Sequence, residues 1–178
     1  MVSISLQVPR RCCSLWCWAS VLTAIAQVVP VAGATTQEDF FQLIYGGQGL
    51  DCTGCCPNGC PERDDTCNLP AGIGSALYEC HLSSGNPVLL GPDSFDAITR
   101  QIDKKRPVVA QIDFDDETLG THYLLIHGYA VPDTLLIGDP ADGKSISVQF
   151  STYSYTDPEP DYSDRHGHWT SMYFIDAA

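Results

Sequence analysis

Residues 10–34 read RRCCSLWCWASVLTAIAQVVPVAGA, and two readings of this stretch lead to two different proteins. In one, Arg10 and Arg11 head a secretory signal, the run from Leu15 to Val31 is its apolar segment, and Ala32-Gly33-Ala34 is the cleavage site. The mature chain would then start at Thr35. In the other, Ser14 caps a helix over about 15–27 that stops before Pro30. Its apolar residues cover nearly the whole circumference, which predicts a buried central helix. Trp16, Trp18 and Cys17 are unusual in a signal and favour the helix. A membrane span is not expected, because Gln27 and Pro30 interrupt a stretch barely long enough to cross a bilayer.

Outward from this helix, the pattern changes once. Further helices are predicted over about 37–45, started by Thr35 or Thr36 with Glu38 nearby, over 71–80, and over 95–105 after a Ser94 cap. Residues 48–70 form a Cys/Gly/Pro loop without helical or strand period. From 107 on, β-branched and aromatic runs predict strands at 107–114, 123–131, 134–138, 145–153 and 169–175. Helices followed by antiparallel strands make an α+β domain. The expected division is one domain with a helical lobe over about 1–106 and a β lobe over about 107–178, with a cleft between them.

The chain has 178 residues, and 44% of them are hydrophobic, enough for one domain with a real core. Asp and Glu number 22 against 9 Lys and Arg, a formal charge of −13. A chain this acidic lacks the basic stripe that phosphate contacts require, so nucleic acid is excluded as a partner. The acidic stretches are Asp113, Asp115, Asp116 and Glu117, then Asp157, Glu159, Asp161 and Asp164. They read as solvated loops, or the first as a cleft rim that steers basic peptides.

Nine cysteines are many for a reduced compartment, and an odd number leaves at least one thiol unbridged. Cys52, Cys55, Cys56, Cys60 and Cys67 have spacings that could ligate zinc. Adjacent cysteines strain a tetrahedral site, so disulfide stapling of the loop is expected instead, with no metal and no cofactor. With Cys12 and Cys13 as bridge partners, four bridges and one free Cys17 would account for all nine.

Cys17 has chemical reasons to be the free one. Capped by Ser14, it would stand at the third helical position, where unpaired N–H groups and the helix dipole favour a thiolate. The same N–H groups could hold an oxyanion. In Gly120-Thr121-His122-Tyr123-Leu124-Leu125-Ile126-His127-Gly128-Tyr129, His122 opens an apolar strand, and Asp139 ends the next in Ile137-Gly138-Asp139-Pro140. Adjacent strands could bring the carboxylate to the imidazole and leave its other nitrogen for the thiol. His127, five residues on, should face the opposite side and pack as a structural histidine. His166 and His168 read as solvated, and Trp16 and Trp18 as core or cleft-wall aromatics.

CSLWCWAS, GTHYLLIHGYA and LLIGDPADG, in that order, resemble the papain-like cysteine proteases, particularly their small bacterial branch. Cys67-Asn68 before a short helix, IDKKRPVV at 102–109 and the closing HWTSMYFI are similar too. The resemblance implies a papain-like fold with Cys17 as nucleophile, His122 as general base and acid, and Asp139 as its orienter. It also implies an upstream Gln as oxyanion donor, for which Gln7 is the candidate, ten residues before Cys17 where about six is usual. The implied activity is peptide-bond hydrolysis of a protein or peptide substrate, with an inhibitor or immunity protein as a further partner. A glutamine deamidase or transglutaminase-like enzyme would use the same triad. A secreted, disulfide-stapled binding module would use none of it. The cysteines favour an extracellular or exported location, as for an effector or toxin, although no separate signal peptide stands ahead of residues 10–34.

Overall fold

In the computed structural model, residues 1–50, 55, 67–91, 94–158 and 165–176 are described. Four α-helices form: α1 (Cys17–Ala26), α2 (Gln37–Tyr45), α3 (Ile73–Glu79) and α4 (Ser94–Asp103). Eight strands join them: β1 (Val2–Ser3), β2 (Val88–Leu89), β3 (Val108–Phe114), β4 (Thr121–Ala130), β5 (Thr134–Asp139), β6 (Lys144–Gln149), β7 (Tyr155–Thr156) and β8 (His166–Phe174). All pairings are antiparallel, in the order β2-β8-β3-β4-β5-β6, with β1 alongside β4 and β7 alongside β8.

Residues 15–27 divide into a turn and a helix. Trp16 donates its N–H to the Cys13 carbonyl at 2.9 Å, and α1 begins only at Cys17, with Trp16 as an N-cap that supplies no side-chain bond. Cys17 is therefore the first helical residue, not the third, and Ser14 is not the cap. Helix α2 has a true capping box: Thr36 accepts from the Asp39 N–H while the Asp39 carboxylate accepts from Thr36, so Asp39, not Glu38, is the partner.

Strand alternation sorts the core into two. Val109 on β3 and Tyr123 and Leu125 on β4 face α1, α2 and α3, joining Trp16, Trp18, Leu22, Ile25, Phe40, Phe41, Ile73 and Leu77. Val108, Ala110 and Ile112 on β3 and Leu124 and Ile126 on β4 face the other way, onto Ile98 and Ile102 of α4. The sheet thus lies between three helices and one. The expected lobe boundary near 106 does not separate two cores: α4 lies across the sheet from the other helices, and β1 is part of the sheet. A strand buried on both faces has to be apolar throughout, which is why TLLIGD and THYLLIHGYA carry little alternation.

The cleavage reading of residues 10–34 would remove α1, whose Trp18, Val21, Leu22 and Ile25 are fully buried. No helix among the described residues is long and apolar enough to cross a membrane. The sheet also takes in segments too short for a sequence pattern, namely β1, β2 and β7. Strand β8 starts at His166, earlier than expected, and β6 ends at Gln149 in a 3-10 turn over 150–152.

Candidate active site

Strand β5 stops at Asp139, and its pairing with β4 begins at Gly138 opposite Leu125. The opening residues of β4, 121–123, therefore pair with β3 alone. The N-terminus of α1 fills the place β5 leaves: the backbone N–H of Tyr123 is hydrogen-bonded to the Cys17 sulfur. Gly120, at φ +73°, turns the chain out of the 117–119 turn and into β4. This makes His122 the second residue of the strand, at its open end. Gly138 leaves room for the N-terminal segment to pass beside β5, since a Cβ there would lie 2.3 Å from Val8 Cγ2.

Cys17, His122 and Asp139 meet at this end, each less than a tenth exposed. The His122 Nε2 atom lies 2.7 Å from Asp139 Oδ1, which also accepts from the Ala141 N–H at 2.8 Å. The other ring nitrogen is left for Cys17, whose thiol is in hydrogen-bonding contact with His122. The imidazole packs in a triangle with two aromatic rings, Tyr155 at 5.2 Å and Phe114 at 6.4 Å between centroids. Such walls keep water from competing for the ring nitrogens.

The charges support one another. Burial alone would raise the Cys17 thiol, but the hydrogen bond and charge of His122, the Tyr123 N–H and the positive charge of Arg11 hold it below the ordinary thiol range. Burial alone would lower His122, yet Asp139 and Cys17 together push it up to about 9. Asp139 is held below the usual carboxylate range: burial opposes this, and the His122 and Ala141 contacts prevail. The two shifts act together, each charged form favouring the other, so a thiolate facing an imidazolium is the favoured state of the pair. It sits at a helix start, where the backbone N–H groups of the first turn have no intrahelical partner.

A family model described as Peptidase_C39 like family matches residues 16–162. The chain belongs to that family. None of the curated proteins matches it. Membership in the Peptidase_C39 like family supports a cysteine peptidase, a hydrolase whose substrate is a protein, carried here on a mixed helix and antiparallel sheet fold.

Gln7 is not part of this site. Its backbone N–H donates to Gln27 Oε1 at 3.0 Å and its carbonyl accepts from Gln27 Nε2 at 2.7 Å. Gln27 follows the far end of α1, and ten helical residues span about 15 Å. The extended segment before Arg10 runs along the helix, with Ser20 Oγ bonded to the Pro9 carbonyl, so Gln7 ends up beside the C-terminus. Arg11 is the residue of this segment whose charge acts on Cys17, and it is held by an N–H bond of 2.7 Å to the Pro140 carbonyl. Its basicity was visible in RRCCS, but its destination was not.

The cysteine arithmetic also changes. Cys17 and Cys80 are both free, which leaves seven of the nine and at most three bridges, not four. Cys12 and Cys13 are disulfide-bonded, and Cys55 is bridged to Cys67. The remaining loop cysteines, 52, 56 and 60, lie outside the described residues. Burial and then Glu79 push the Cys80 thiol up to about 11, so the two free thiols differ in kind. No group of three or more metal-ligating side chains occurs among the described residues.

His127 packs as expected, between the Ile4 carbonyl at 3.3 Å and Ser145 Oγ at 3.0 Å. His166 and His168 belong to β8, not to a loop; His168 is exposed and pairs with Asp115 at 3.1 Å. Asp116 shapes the turn before β4, accepting from Thr118 N–H and Oγ1 at 2.9 and 2.6 Å. Asp113 accepts from Gln111 Nε2 at 3.0 Å. Glu159, Asp161 and Asp164 lie outside the described residues.

Proposed function

We propose that the chain hydrolyses peptide bonds by thiol acyl transfer, with Cys17 as nucleophile, His122 as general acid and base, and Asp139 as the orienter of the imidazole. The supporting observation is the His122–Asp139 contact of 2.7 Å in a buried pair whose free ring nitrogen meets the only thiol with a lowered pKa among the described residues. In the cycle, the Cys17 thiolate attacks a substrate carbonyl, and the C–S bond forms as the carbonyl π pair moves to oxygen. The first-turn N–H groups of α1, beginning with that of Cys17, hold the oxyanion. The tetrahedral species collapses, the C–N bond breaks, and the imidazolium proton goes to the leaving amine. His122 then takes a proton from water, hydroxide adds to the thioester, and release of the acid restores the thiolate.

The disulfides support an exported, oxidising location for this activity. An effector role, and an inhibitor or immunity protein as partner, are extensions of the same reading by analogy. The test is iodoacetamide treatment of the unreduced protein at pH 6, with peptide mapping, followed by incubation with a peptide library. Rapid labelling of Cys17, none of Cys80, and new peptide termini that vanish in Cys17→Ala are expected. Labelling with a mass gain of one dalton on glutamine, and no new termini, would point to a deamidase. A Cys17 no more reactive than an ordinary thiol would overturn the proposal.

A further inference from the structure

Four hydrogen bonds join the Cys67–Leu69 segment to the residues on either side of the reactive thiol, three of them to the turn that precedes it. Leu15 N–H donates to Asn68 Oδ1 at 2.8 Å, and Asn68 Nδ2 donates to Ser14 Oγ at 2.8 Å. Trp16 Nε1 donates to the Cys67 carbonyl at 2.7 Å, and Trp18 Nε1 donates to the Leu69 carbonyl at 3.2 Å. Two of the four use the Asn68 amide as both acceptor and donor. That matters because α1 has no side-chain N-cap. With no such cap, the path of residues 14–16, and so the direction of the Cys17 N–H and Sγ, has to be fixed from outside the helix. The Cys55–Cys67 bridge anchors the segment that fixes it, and Cys12 and Cys13 are themselves disulfide-bonded.

We infer that Asn68 is a positioning residue for the nucleophile, gripping Ser14 and Leu15 so that the first turn of α1 presents its thiolate and its oxyanion donors in one fixed geometry. The inference rests on Cys17 being the nucleophile. It implies a division of labour: the tryptophans carry the packing, and the Asn68 amide carries the alignment. A misplacement of the nucleophile of about 1 Å costs on the order of a hundredfold in rate. Asn68→Ala should therefore lower kcat by roughly ten- to a hundredfold with KM little changed. It should also raise the pH midpoint of Cys17 alkylation toward the ordinary thiol value of about 8.5.

The experiment measures kcat, KM, melting temperature and the iodoacetamide rate at Cys17 from pH 5 to 10 in wild type, Asn68→Ala, Ser14→Ala, Ser14→Thr and the Asn68→Ala/Ser14→Ala double variant. The expected pattern is loss of kcat and a raised midpoint in both alanine variants, recovery in Ser14→Thr, and a double variant no worse than Asn68→Ala alone, as for two ends of one contact. Should Asn68→Ala fail to fold, the Ser14→Ala and Ser14→Thr pair decides by the same readouts. A midpoint that stays at the wild-type value in the alanine variants overturns the inference, even if their melting temperature drops. An unreactive wild-type Cys17 would instead sink the proposed nucleophile, so the two failures are separate.

Discussion

Replacing Asp139 by Asn removes one charge and little else. An amide oxygen can still accept from His122 Nε2–H and from the Ala141 N–H, which now lie at 2.7 and 2.8 Å. A hydrogen bond to a charged partner is worth about 1.5–3 kcal/mol and one between neutral groups about 0.5–1.5, so about 1–1.5 kcal/mol is lost, roughly tenfold in rate. The larger effect is on proton affinity. His122 stays protonated to about 9 only because Asp139 and Cys17 outweigh its burial. With the carboxylate gone, the imidazolium falls back toward the ordinary histidine value of about 6.5. At pH 8 the protonated fraction then drops by roughly thirtyfold, and because this shift already contains the weakened hydrogen bond, about thirtyfold is the expected loss in kcat/KM. The assay is an NMR titration of the imidazole resonances in wild type and variant, with the kcat/KM profile from pH 5 to 10 beside it. The wild-type alkaline limb is expected near 9, and that of Asp139→Asn more than a full pH unit lower. A His122 resonance that titrates at the same pH in both proteins would refute the reasoning.

Three further outcomes follow from packing and linkage. Gly138→Ala should destabilise by about 1–3 kcal/mol, because its Cβ would lie 2.3 Å from Val8 Cγ2 and 2.9 Å from Val8 Cβ, and thermal denaturation will show a lower midpoint. Trp16→Phe removes the 2.7 Å donor to the Cys67 carbonyl, which keeps the Leu69 N–H at 3.0 Å, and should cost about 0.5–1.5 kcal/mol in a urea titration, whereas Trp18→Phe, whose bond is 3.2 Å, should cost less. Asp139 has a carboxyl pKa lowered by folding, so its stabilisation is full above the unfolded value of about 3.9 and is lost as pH falls through the folded value. The stability gap between wild type and Asp139→Asn should therefore shrink on acidification from about pH 5, as read by chemical denaturation.

What could be read from the residues was what depends on local pattern. The apolar circumference of residues 17–26, the β-branched runs and the turn chemistry around Gly120 and Pro140 each have a period or a residue type that signals them. His122 and Asp139 were legible because they stand at the ends of such runs. The rest depends on pairings between distant segments. Gln7 was mislocated because spacing along the chain says nothing of direction, and an extended segment can run back along its own helix. Strands β1 and β2 are two residues each, too short for any period to show. Asn68 looks like an ordinary loop residue, since its importance lies in what reaches it from Ser14 and Leu15. Placing α4 across the sheet required knowing that β3 and β4 are buried on both faces.

Cys17 belongs to the core built on α1, while His122 lies against Tyr155 and Phe114 on the α4 side of the sheet. The thiol and imidazole of the proposed site therefore meet across the boundary between two apolar masses, and loosening of either mass would part them.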